Sequence, residues 1–65
     1  MKVRAVIRLL VADGWRLSRQ TGSHRQFRHQ AKAGTVTVAG KPSEEVPPGT
    51  LASILRQAGL KGSKT

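Results

Sequence analysis

The chain has no cysteine and no tyrosine, only one tryptophan and one phenylalanine, and only three acidic side chains among 65 residues. Each shortage excludes something. Without cysteine there are no disulfides and no thiolate metal site. The two histidines and three acids fall in no metal-ligand spacing, so no metal or other cofactor is expected. With two aromatics in so small a protein, Trp15 and Phe27 are better spent filling a core than stacking on bases. There is no long apolar run. The segment Val3 to Ala12 is too short to span a bilayer, and Arg4 and Arg8 interrupt it, unlike a signal-peptide core. No membrane association is expected, and the cytoplasm is the expected compartment.

What the chain has in excess is positive charge. Twelve Lys and Arg against three Asp and Glu leave a formal net charge of +9. Such a field attracts polyanions and speeds encounter with them, and it opposes compaction by self-repulsion. A nucleic acid or an acidic protein partner would relieve it. At this length one domain is the only sensible count, and its core is marginal.

Val3, Val6, Ile7 and Leu10 recur at helical spacing, and Gly14 is placed to stop a helix running from Lys2 to Ala12. Trp15 to Gln20 alternates apolar and polar residues, which predicts a half-buried strand; Thr21-Gly22-Ser23 is turn chemistry. His24 to His29 predicts a second strand, with Arg25, Phe27 and His29 on the core face and His24, Gln26 and Arg28 facing solvent together. Thr35 to Val38 predicts a third, with Val36 and Val38 inward. After a Pro- and Gly-punctuated connection holding Glu44 and Glu45, a second helix should start near Pro48 to Thr50, with Pro48 in the first turn and Thr50 as a possible cap. Leu51, Ile54, Leu55 and Ala58 form its stripe and Gly59 ends it. Residues 1–60 should therefore make one α+β domain of order α-β-β-β-α, a two-layer fold with a three-stranded antiparallel sheet and both helices on one face. Residues 61–65 read as a frayed basic tail.

The chemistry concentrates in Gly22-Ser23-His24-Arg25-Gln26-Phe27. A histidine beside a flexible glycine, a hydroxyl and an arginine suits a phosphodiester, where protons must move and negative charge must be held. Metal-free RNA cleavage needs a base for the ribose 2′-hydroxyl and an acid for the leaving 5′-oxygen, and histidine, with a reference pKa of about 6.5, serves either role. Charge on the phosphorane oxygens calls for cations or backbone N–H donors. Arg25, Arg28, Lys41 and the turn amides of Gly22 and Ser23 are the candidates, and Arg16 and Arg19 could extend the same phosphate-contacting surface. His29 reads as structural. Ser23 lacks the partners of a nucleophile and reads as a turn or phosphate contact. Glu44 and Glu45 are expected to pair with nearby Lys or Arg.

The order of elements and the local sequence together resemble the HicA family of toxins from prokaryotic toxin–antitoxin pairs. The resemblance rests on Asp13-Gly14-Trp15, Arg19-Gln20-Thr21-Gly22-Ser23-His24, Phe27-Arg28-His29, Gly34-Thr35-Val36-Thr37-Val38 and Gly49 to Leu60, in that order and spacing. It implies a double-stranded-RNA-binding-domain-like fold, endoribonuclease activity on mRNA that stops translation, and a HicB-like antitoxin that covers the active site. The family's catalytic histidine falls on His24. Where many relatives carry a proline and one or two histidines after the third strand, this chain reads Ala39-Gly40-Lys41-Pro42, leaving Lys41 to supply positive charge there. A non-catalytic RNA-binding module of the same fold is the alternative, and an interaction protein whose charge serves only an acidic partner is a third reading.

Overall fold

A computed structural model describes residues 1–60; the basic tail expected at 61–65 lies outside the described residues. The elements are α1 (Val3–Ala12), β1 (Trp15–Thr21), β2 (His24–His29), β3 (Thr35–Val38) and α2 (Pro48–Gln57). The strands form one antiparallel sheet in the order β1-β2-β3. The α-β-β-β-α order and the α+β class are those the sequence predicts. No described helix is long and apolar enough to cross a membrane.

Both helices lie on one face of the sheet because their apolar stripes and the inward strand positions form a single cluster. Val3, Val6 and Leu10 of α1, Trp15, Phe27, Val36 and Val38 of the sheet, and Ile54 and Ala58 after it are all buried. Alternation along β2 and β3 assigns these positions as expected: Phe27, Val36 and Val38 point in, and their neighbours point out. In β1 the half-buried pattern fails. Only Trp15 is buried, and Leu17, on the same face, remains half exposed. The edge strand runs out past the cover of the helices.

The helix ends depart from side-chain capping. The expected cap at Thr50 is wrong: α2 begins at Pro48, and its first turn is closed by the Leu51 N–H donating to the Pro47 carbonyl at 2.8 Å, with no side-chain cap. Pro48 needs no acceptor for an N–H it lacks, and its fixed φ starts the helix two residues before Thr50. At α1, main-chain carbonyls of the connecting loop satisfy the first amides. Val3 N–H donates to Glu44 O at 2.9 Å and Arg4 N–H to Pro42 O at 3.0 Å. The expected stops hold at both C-termini. Gly14 and Gly59 take positive φ, and α2 closes with Leu60 N–H on Leu55 O and Gly59 N–H on Arg56 O, a Schellman arrangement.

Candidate nucleic-acid interface

The hairpin between β1 and β2 places His24. β1 extends through Thr21, which pairs with His24, so the turn contracts to Gly22-Ser23. Gly22 has φ +59° while Ser23, like every other non-glycine among the described residues, does not have positive φ, the pattern of a type II′ turn, whose twist suits a two-residue hairpin. His24 thus opens β2 at an exposed corner of the sheet, and its ring makes no hydrogen bond or ion pair among the described residues.

The other histidine has the opposite fate. His29 lies on the helix side, edge-on to Trp15 with ring centroids 5.2 Å apart. Its Nε2 sits 2.7 Å from the Asp13 carbonyl, while its Nδ1 receives the N–H groups of Ala31 (2.9 Å) and Lys32 (3.2 Å). Two amide donors facing Nδ1 leave the proton on Nε2, which donates to Asp13. His29 is a structural bracket, as its alternation on β2 suggests.

Strand register assembles the rest of the open face. Arg28 lies across from Arg16 on one side and Thr35 on the other; Gln26 lies between Arg19 and Thr37; His24 lies across from Thr21. All eight residues are exposed. Arg19 joins this face only because β1 bulges between Leu17 and Arg19. In an unbroken strand, position 19 shares a face with Trp15 and Leu17; the extra residue at Ser18 shifts it to the face of Arg16. An open depression of about 410 Å³ follows the bulge, lined by Arg16, Leu17, Ser18, Arg28, His29 and Gln30.

Arg25 is separated from this group. It lies on the helix side of β2, and its Nη1 donates to the Gly40 carbonyl at 3.0 Å. Because Val38 pairs with Arg25, the chain leaves β3 at the His24 end of the sheet, and Arg25 anchors the departing Gly40-Lys41 segment there. Glu44 closes the same loop: its Oε1 accepts the Lys41 N–H at 2.9 Å, and its own N–H donates to Lys41 O. Gly40, at φ +109°, has Glu44 Oε1 just 2.7 Å from where a Cβ would sit, so a side chain there would strain the backbone and displace the Glu44 carboxylate from the Lys41 N–H. Lys41 is exposed.

All three acids are occupied away from the open face. Glu44 serves the loop, and Glu45 pairs with the N-terminal ammonium at 3.2 Å, not with the Lys or Arg side chains expected. Asp13 accepts from the Lys32 ammonium at 2.6 Å, and that contact holds its carboxyl below the ordinary 3.8 against partial burial, which would raise it. Arg16, Arg19 and Arg28 therefore have no acidic neighbour among the described residues. The carbonyl capping of α1 left no trace in composition or periodicity; the trace of the bulge was Arg19, a polar residue where the alternation of Trp15 and Leu17 calls for an apolar one.

Residues 3–60 match the family model of the HicA toxin of bacterial toxin–antitoxin systems. The chain belongs to the HicA toxin family. The match spans both helices and all three strands. HicA membership gives this protein a toxin role and, in general terms, an antitoxin partner. No curated protein matches the chain.

Proposed function

We propose that this HicA protein is an endoribonuclease that cleaves mRNA without a metal ion and so inhibits translation, acting in the cytoplasm, with His24 as its catalytic residue. One contrast carries the reading. Of two histidines, His29 is locked by three hydrogen bonds on the helix side, whereas His24 stands free at the corner of an acid-free, arginine-bearing face. A free imidazole can take the 2′-hydroxyl proton and return one to the leaving oxygen; a bracketed one cannot.

In this reading Arg19 and Arg28 hold phosphates, the Gly22 and Ser23 amides face the charge that builds on phosphorus, and Lys41 adds a cation from the far side. Arg25 contributes by holding Gly40 and Lys41 in place. A HicB-like antitoxin would silence the enzyme by covering the His24 corner.

The test is cleavage of a labelled RNA in EDTA by wild type and by His24→Ala. Cleavage should survive chelation and vanish in the variant, with the melting curve unchanged because His24 is exposed and unbonded. Intact RNA with retained, salt-sensitive binding would instead identify a non-catalytic RNA-binding module, the reading favoured by the lack of a second proton-transfer group on the face.

A further inference from the structure

We propose that the open sheet face is a track for single-stranded RNA, three rungs deep, and that the β1 bulge exists to complete it. This deepens the nuclease reading and rests on it for the ligand. The rungs are Arg16-Arg28-Thr35, Arg19-Gln26-Thr37 and Thr21-His24, each set by strand register. Successive rungs are two residues apart along β2, about 6.6 Å at ~3.3 Å per residue. An extended ribose-phosphate backbone can match that interval phosphate by phosphate. With the scissile phosphate at the His24 rung, the next two fall at Arg19 and at the Arg16-Arg28 pair.

The Arg16-Arg28 pair points to an anion directly. Like charges directly opposite each other on adjacent strands destabilise a sheet. Among the described residues no carboxylate offsets the pair, since Asp13, Glu44 and Glu45 are all engaged elsewhere. A phosphate between the two guanidinium groups removes the repulsion and accepts from both. The bulge adds the middle rung: in an unbroken ladder Ser18 would lie opposite Gln26 and Arg19 would face the helix side, leaving no cation between Arg28 and His24.

Two features favour a single strand over a duplex. The rungs run straight along one strand of a sheet rather than across grooves. In-line attack needs the 2′-oxygen opposite the leaving oxygen, an alignment that a flexible chain reaches more readily than stacked A-form RNA. The track has no aromatic platform, because Trp15 and Phe27 are both buried. Binding must then come from phosphates, with little base preference and a steep salt dependence.

The experiment measures anisotropy of a labelled single-stranded RNA and of a duplex of equal length, using full-length His24→Ala protein so that nothing is cleaved. Into that background go Arg16→Gln, Arg19→Gln and Arg28→Gln, with Arg8→Gln on the exposed side of α1 as control. Each track variant should weaken single-strand binding about five- to tenfold at low salt and lower the slope of log affinity against log salt by about 0.7. Arg8→Gln should stay within about twofold, and the duplex should bind more weakly than the single strand. Equal losses from Arg8→Gln, tighter duplex binding, or track variants that bind like the parent would each overturn the proposal. So would RNA indifference combined with binding of an acidic protein. Failure of the nuclease reading shows elsewhere, as intact RNA with wild-type protein, while the track pattern persists.

Discussion

Two glycines at similar turn positions are under different constraints. Gly22 has φ +59° and open space where a Cβ would go; Gly14 has φ +103° and His29 Nε2 only 2.8 Å from that point. The His29 ring cannot give way cheaply, being fixed by Asp13, Ala31 and Lys32. Gly22→Ala should therefore cost about 1–2 kcal/mol, the left-handed strain alone. Gly14→Ala should cost about 3 kcal/mol or more, because a hydrogen-bonded ring is displaced as well. Urea unfolding of the two variants measures the difference, and equal costs would show that His29 does not wedge Gly14. Both glycines were legible in the sequence as turn or stop residues. That His29 presses on one of them was not, since the contact joins residues 15 positions apart.

At the scale of elements, the ends of α1 and α2 are joined by one lysine. Lys32 donates to Asp13 at 2.6 Å and to the Ala58 carbonyl at 3.0 Å, a cation set where both helix dipoles end negative. The lowered Asp13 pKa makes this lock pH-dependent. A carboxyl whose folded pKa lies below its unfolded value adds stability that is fully present above about 3.8 and is lost as pH falls through the lower folded value. Asp13→Asn should lower Tm at neutral pH, and its deficit against wild type should shrink as pH drops below about 3.8. A deficit that stays constant to the end of the acid range would rule out the ion pair as its cause. Element order and the inward faces of β2 and β3 were readable because period and punctuation record them locally. The start of α2 near Pro48 was readable from the proline itself, whereas the cap offered at Thr50 does not form, because two adjacent prolines set the boundary ahead of that hydroxyl. The half-buried alternation read through β1 fails past Leu17, because one extra residue reverses facing downstream while leaving composition untouched.

For the whole molecule, charge sets two salt dependences of opposite sign. A net charge of +9 on 65 residues, with every acid already paired or hydrogen-bonded, leaves the free protein repelling itself. Salt shortens the reach of that repulsion, from about 30 Å at 0.01 M to ~8 Å at 0.15 M. The Tm of the free protein should therefore rise with added sodium chloride over that range. RNA affinity should fall over the same range, because each phosphate bound releases counterions. Differential scanning fluorimetry and anisotropy titrations in matched buffers give both curves. A Tm that falls with salt would mean that the few acid–base contacts, Asp13-Lys32 foremost, outweigh the repulsion. The basic surface would then carry little strain for a polyanion to relieve, and the fold would gain less stability from its RNA or antitoxin than its charge implies.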